Sequence, residues 1–385
     1  MKIIIVGAGI GGLCAGIALR KFGHQVEIYE AVQSIQPVGA AISLWSNGIK
    51  CLNYLGLNRE IARIGGEMAF MAYLDAISGE QITRFSLEPL VTRVGERPYP
   101  VSRTELQEML MQAFGPTDIA LGKRLVRIDD NGQFVTAYFE DGTEAKADIL
   151  IGADGTHSRV RDHVLGFAVE RKYAGYVNWN GLVAVDETVA PSNQWTMFIG
   201  ESKRVSLMPV AGKRFYFFFD VPLPKGLRED RSTLRTDLRR YFQGWAGPVQ
   251  TLIENLDPAS TNRVEIHDIE PIEQFSRGRV ALLGDSAHSM TPDIGQGGCM
   301  ALEDAVTLAM TLQTHSLGVE DALYRYQERR RQRANALVMK ARTRSDTTHG
   351  KDPTATHRWY ESLKATNGDR IIRGLAETIS RGPFQ

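Results

Sequence analysis

The sequence predicts an α/β protein: a Rossmann-like dinucleotide-binding domain, interrupted by an inserted antiparallel β-sheet and followed by C-terminal helices. Three observations lead to that expectation. The chain opens with strand, glycine turn, helix and strand in the order "KIIIVGAGIGGLCAGIALRKFGHQVEIYE". The strand-to-turn design returns in "ILIGADG" and in "VALLGDS". Residues 71–100 and 172–270 lack this pattern and are instead aromatic and alternating, which is the period of strands.

Bulk properties set limits first. At 385 residues the chain exceeds what one simple core fills, so two domains or one domain with a large insertion is expected. Lysine plus arginine equals aspartate plus glutamate at 45 each, so no global field recruits nucleic acid or an anionic membrane. Small molecules are the expected partners. Cys14, Cys51 and Cys299 form neither a CxxC pair nor an even framework, as in a reducing cytoplasm, and no metal site is expected. The N-terminal apolar run is broken by glycines and continues with helical periodicity, so it reads as mature structure and not as a leader. No stretch approaches the roughly 20 apolar residues of a spanning helix.

In chain order, Lys2–Val6 has the β-branched composition of a buried parallel strand. Gly7, Gly9 and Gly12 follow at G-x-G-x-x-G spacing: the first permits the turn, the second lets backbone approach a pyrophosphate, and the third lets helix pack on strand. The helix then presents its N-terminal amides to phosphate. The second strand ends in Glu30, about 20 residues on, where a carboxylate accepts from ribose hydroxyls. This unit does not distinguish FAD from NAD. The turns at Asp154 and Asp285 do, because in a doubly wound sheet all three turns lie at the carboxyl ends of strands and can converge on one extended cofactor. FAD is long enough to need them all.

Through "GAGIGG" with Glu30, Arg103 in "PVSRTELQEML", "GADGTHSRVR" and "LLGDSAHSMTPDIGQGGCMALEDA", the chain resembles the single-component FAD-dependent aromatic hydroxylases over nearly its whole length. The resemblance implies that Glu30 holds the adenosine ribose, Arg103 the pyrophosphate or ribityl region and Asp285 a ribityl hydroxyl. It implies that the Asp154 turn serves FAD and, transiently, the nicotinamide cofactor. Gly295, Gln296, Gly297, Gly298 and Cys299 would lie under the flavin pyrimidine, with further contacts from Gly7, Gly9, Gly11, Gly12, Ala31, Ser43 and Leu125. A separate physical reason supports the helix at Gly297: a reduced flavin is negative near N1, and amides at a helix start carry roughly half a positive charge. One dinucleotide fingerprint, not two, means that the pyridine nucleotide visits without its own domain; the resemblance implies NADH before NADPH.

The implied division is 1–70, 101–171 and 271–345 for a discontinuous FAD-binding domain, 71–100 and 172–270 for a substrate-binding β-sheet, and 346–385 for a C-terminal helical segment. In "YAGYVNWNGLV", Tyr176, Asn178 and Asn180 share a face opposite Val177 and Trp179; in "RFYFFFDV", Tyr216, Phe218 and Asp220 alternate with Phe215, Phe217 and Phe219. From pattern alone, Arg204 is an edge arginine in solvent or paired with a surface carboxylate, and the aromatics are core. The segments "YAGYVNWNGLV", "KRVSLMPV", "RFYFFFDVPLP", "TNRVEIHDIEP" and "TPDIGQGGC" look closely like the bacterial branch of the family that acts on urate. In that branch, residues matching Asn178, Arg204, Tyr216, Phe217 and Phe218 line the substrate site, Phe217 through its backbone. Arg204 and Tyr216 are the implied catalytic pair. Arginine offers a planar fork of donors to an anionic ring, and phenylalanine covers the ring face.

The activity implied is hydroxylation of urate at C5 to 5-hydroxyisourate, with NADH, O2 and a C4a-hydroperoxyflavin. A salicylate- or hydroxybenzoate-type substrate is the alternative, and a non-catalytic FAD-binding redox sensor is the rival of another class. His288 is expected in flavin-loop packing, and Asp293 is an outside candidate kept apart from the catalytic set. "ALYRYQERRRQRANALVMKARTRSD" reads as a long helix with a solvated arginine face, and residues 352–385 as helix packed on the FAD domain, in a monomer or homodimer.

Overall fold

The computed structural model describes residues 1–35, 39–228, 230–313 and 318–384. Its centre is a six-stranded sheet in the order Ser276–Arg277, Val280–Leu282, Ile149–Gly152, Lys2–Val6, Gln25–Tyr29, Ile119–Ala120. All neighbours run parallel except the outermost pair, Ser276–Arg277 with Val280–Leu282. Both faces of the first strand are buried. Ile3 and Ile5 join a core with Leu13, Ala18 and Leu19 of helix Ile10–Lys21, whereas Ile4 and Val6 meet Val135, Ala137 and Ala147 of a three-stranded sheet on the other side. This two-sided burial is why the strand is continuously apolar.

The glycine turn is dictated by contact. Gly7 has φ +107°, and a Cβ on Gly12 would stand 2.0 Å from the Gly7 carbonyl oxygen. No other residue type lets the helix come so close to the strand.

The second sheet has seven strands, in the order Asn262–Ile269, Arg171–Ala184, Arg214–Pro222, Lys203–Val210, Gln194–Gly200, Phe70–Asp75, Gln81–Ser86. Its period-two alternation divides it as the sequence predicts. Val177, Trp179, Phe215, Phe217 and Phe219 pack under helices Leu234–Tyr241 and Gly247–Asn255. Asn178, Asn180, Arg204, Tyr216 and Phe218 take the opposite face, toward the dinucleotide-binding sheet. Arg204 stands across the strand pair from Asp220, and Met208 stands across from Tyr216.

Two expectations about the C-terminal third need correction. Helices Pro353–Lys364 and Asp369–Ile379 do not pack on the FAD-binding part alone: Leu363, Ile372 and Ile379 share a core with Phe85 and Leu90, at the edge of the second sheet. Nor is the arginine run of helix Val319–Thr348 a solvated face. Arg330 is 2% exposed and bonds Asp304 at 2.6 Å and Glu303 at 2.7 Å, and Arg333 bonds Glu303 at 2.8 Å. Arg329, which is exposed, and Arg331, which pairs with Glu273, whose side chain is 80% exposed, do fit the solvated reading. Single-sequence charge patterning missed Arg330 because its partners lie 26 and 27 residues away. Among the described residues no helix is long and apolar enough to cross a membrane.

Removing one partner of a buried pair strands the other, at about 3–5 kcal/mol, whereas an exposed pair contributes about 0–1 kcal/mol. Urea unfolding should therefore show Arg330→Leu destabilised by about that larger amount and Arg331→Leu nearly unchanged. Equal effects would mean that the Glu303–Asp304 cluster is not the tie described.

Candidate active site

Between the two sheets lies a cavity of about 510 Å³, within the range of about 300–1,000 Å³ common for small-molecule sites. The three strand-to-turn sites predicted to converge do so physically. Gly9, Gly11, Gly155, Gly284, Asp285 and Gly295 through Gly298 all line this cavity, with Ser43 and Arg103. The second and third turns are bonded together: Ser286 Oγ donates to Asp154 Oδ1 at 3.0 Å, Gly155 N donates to Ser286 Oγ at 3.0 Å, and buried Arg161 donates to the carbonyls of Thr156 and Ser286.

Other predicted cofactor residues sit behind the wall. The Glu30 carboxylate accepts from Ala8 N at 2.7 Å and Val32 N at 3.1 Å, so it holds the first turn in shape. Gly7 and Gly12 form the turn's inner side, and Ala31 follows Glu30 without lining the cavity. Asp154 caps the next helix, accepting from Arg159 N at 2.8 Å and Val160 N at 3.2 Å. Leu125 is buried in the core beneath the parallel sheet. Cys299 Sγ accepts from Trp45 N at 3.2 Å, and burial pushes its thiol up to about 12. What Cys299 offers the cavity side is its backbone amide, in the first turn of helix Gly297–Leu312, where amides have no intrahelical partner.

This helix start is held from behind. Asn47 Nδ2 donates to Gln296 Oε1 at 2.9 Å and to Glu303 Oε1 at 2.7 Å. His288 Nε2 lies 2.6 Å from Asp304 Oδ2, which also accepts from Gly284 N at 2.8 Å. His288 therefore belongs to loop packing, as the sequence suggests, and does not line the cavity.

The opposite wall is a chain of hydrogen bonds. Ala40 N donates to Asn180 Oδ1 at 3.2 Å, Asn180 Nδ2 to Asn178 Oδ1 at 2.7 Å, and Asn178 Nδ2 to Asp220 Oδ1 at 2.6 Å. Arg204 continues it, with Nε on Asp220 Oδ2 at 2.5 Å and Nη2 on Asp293 Oδ1 at 2.8 Å. Tyr176 OH donates to Asp293 Oδ2 at 2.8 Å, and the His349 ring stacks on Tyr176 at 3.7 Å. Arg204 is 7% exposed, so it is not the edge residue that pattern alone predicts. Burial works against its charge, but Asp220 and Asp293 override that and hold the guanidinium more firmly protonated than usual. Burial likewise works against the Asp293 carboxylate, and Arg204, His349 and Tyr176 hold it well below the ordinary range. Burial raises the Tyr216 hydroxyl, so it is a donor at neutral pH and no base. Phe218 lines the cavity, and the Phe217 ring is turned away, over Gly181 on the core side.

Sequence reasoning did not assign four members of this wall to the site: Asn180, Asp220, Tyr176 and His349; Asn180 and Tyr176 had been placed only on the same strand face as Asn178. Asp220 had a signal, being a carboxylate on the same face as Tyr216 and Phe218 in an otherwise aromatic strand. His349, far along the chain, had none.

Residues 1–341 match the FAD binding domain family. The chain is 56% identical over 385 residues to the FAD-dependent urate hydroxylase of Klebsiella pneumoniae subsp. pneumoniae, covering all of both chains. It is 52% identical to the FAD-dependent urate hydroxylase of Mycolicibacterium vanbaalenii, over all of this chain and 98% of that one. The structure superposes on Klebsiella pneumoniae HpxO complexed with FAD and uric acid with a TM-score of 0.97, at 55% identity, covering all of this chain and 97% of the other.

A Cβ on Gly9 would meet nothing within 4 Å in the protein, but it would point into the space a pyrophosphate needs, whereas a Cβ on Gly12 would strike backbone. Gly9→Ala should thus lower flavin content while leaving apoprotein stability near that of the parent, and Gly12→Ala should lower both. Spectrophotometric flavin-to-protein ratios and apoprotein melting check this.

Proposed function

The chain belongs to the FAD binding domain family, among the FAD-dependent urate hydroxylases, and from that membership we propose that it hydroxylates urate at C5 to 5-hydroxyisourate, using NADH and O2, in the cytoplasm. The observation that carries this reading is the wall formed by Asn178, Asp220, Arg204 and Tyr216, which faces the glycine-rich start of helix Gly297–Leu312 across one cavity. A flat ring between them meets donors at its rim and Phe218 at its side.

The glycine turns, the Arg103 guanidinium, which has no side-chain hydrogen bond or ion pair among the described residues, and the helix-start amides fit the phosphates and the flavin of FAD. When bound, FAD supplies the redox chemistry, taking a hydride from NADH and activating O2 for transfer to the substrate. The chain's own residues do the rest. Arg204 has five N–H groups, and two are committed to Asp220 and Asp293, so three remain for a carbonyl and nitrogen edge. Their direction is fixed before substrate arrives, because both carboxylates are buried and immobile in their own bonds. Such preorganisation is what makes a donor useful to a charge that develops during reaction. Tyr216 remains protonated and offers its hydroxyl to a second edge of the ring, and Asn178 has one N–H and one acceptor site left. Arg204 and Tyr216 are the proposed catalytic residues; Asn178, Phe218 and the Phe217 backbone complete the proposed substrate contacts. The absence of a second dinucleotide fingerprint in the sequence supports a transient visit by NADH.

The direct test follows loss of urate absorbance with NADH and oxygen supplied, with salicylate and p-hydroxybenzoate in parallel. Urate should stimulate NADH oxidation and the other two should not; stimulation by salicylate alone would replace the substrate. Arg204→Gln should keep FAD and still oxidise NADH, yet release hydrogen peroxide in place of hydroxylated product. Coupling equal to the parent would remove Arg204 from its role.

A further inference from the structure

The clamp on Arg204 leaves this cavity without a spare positive charge from that residue, since one guanidinium stands between two carboxylates. A second guanidinium lines the same cavity. Arg344, on helix Val319–Thr348, makes no hydrogen bond or ion pair among the described residues; its close partner is the Trp359 ring, 4.1 Å from Cζ. Burial weakens its hold on the proton and neighbouring Arg204 adds to that effect, while Tyr73 and the more distant Asp293 act against it without reversing it. A partly buried cation with no counter-charge in contact is costly unless an anion completes it.

Beyond Arg344 lies a second cavity of about 270 Å³, which shares Tyr73, Trp195, Asp293, Gln296 and Arg344 with the first. Its other walls come from the long helix, with Lys340, and from the two C-terminal helices, with Trp359 and Arg370. Three cations therefore line it against one carboxylate, Asp293, whose oxygens are already engaged by Arg204 and Tyr176. Lys340 donates to Thr378 Oγ1 at 2.6 Å; Glu377, whose field reaches Lys340, is exposed and outside the wall. Aromatic faces beside planar and point cations that form no ion pair among the described residues suit a flat, negatively charged ring.

We propose that this second cavity binds a planar anionic heteroaromatic ring, the class taken by the adjoining pocket, between Trp195 and Trp359 with Lys340, Arg344 and Arg370 as its charge partners. It serves as an antechamber in which the ring waits beside Arg344 before passing Asp293 into the main cavity. Its cations also raise the local concentration of anions beside the main cavity, an effect that added salt screens. This rests on the reading of the main cavity as a urate site, which substrate-stimulated NADH oxidation tests on its own.

The experiment is equilibrium dialysis of the oxidised FAD holoenzyme against urate, with caffeine as an uncharged planar purine, while the flavin absorbance change reports the near site. Two urates per flavin are expected in the parent, and caffeine should leave the second site empty. Because the double variant removes two charge-assisted hydrogen bonds, one of them at the exposed Arg370, Lys340→Gln/Arg370→Gln should weaken the second urate by roughly tenfold or more while the flavin response persists. Arg370→Gln alone, at an exposed position, guards against misfolding of the double variant and should weaken it in the same direction. One urate per flavin in the parent, a second urate indifferent to both variants, or caffeine filling the site as well as urate would each overturn the proposal. If the parent turns over urate and dialysis finds only one, the antechamber fails and the proposed function stands.

Discussion

The arrangement depends on one buried ion triplet, Asp220–Arg204–Asp293. Its members come from three places: Arg204 and Asp220 from neighbouring strands of the second sheet, and Asp293 from the turn just before the helix at Gly297. The triplet therefore does more than orient a guanidinium. It fastens the face of the second sheet to the loop that carries the helix-start amides, and so sets the spacing between the two walls of the cavity. Burying three charges is expensive, and apolar residues of similar volume would often be as stable. That cost makes sense where a fixed direction of N–H groups is needed in a site from which water is excluded.

A second polar network supports the other wall. Arg330 joins Glu303 and Asp304, Asp304 holds His288 and the Gly284 amide, and Glu303 reaches Gln296 through Asn47. The flavin-side loop is thus tied from behind by a helix that begins at Val319, and the same helix carries Lys340 and Arg344 to the far side of the cavity. Each wall is positioned by charges remote in sequence from the residues that face the ligand.

That remoteness explains what could and could not be read from the chain. Local rules were legible: Gly7, Gly9 and Gly12 follow from steric need, and the alternation in "RFYFFFDV" follows from the two-residue period of a strand. Both put their residues on the correct side. Convergence of the Asp154 and Asp285 turns was legible because a doubly wound sheet places such turns at one edge. The burial of Arg330 and Arg204 was not, since an arginine carries no mark of whether its carboxylate lies four residues away or 89. Nor was the structural work of the motif side chains: Glu30, Asp154 and Cys299 belong to motifs that suggest ligand contact, and they also accept from Ala8 N and Val32 N, from Arg159 N, Val160 N and Ser286 Oγ, and from Trp45 N.

The most direct measurement of the central claim is the ratio of urate consumed to NADH oxidised in Asp293→Asn, which keeps the hydrogen-bonding shape but removes one of the charges that fix Arg204. The clamp predicts that FAD content is retained and the ratio falls well below that of the parent, with the difference released as hydrogen peroxide. An unchanged ratio would contradict it, because Arg204 would then keep its direction without the tie between the two walls.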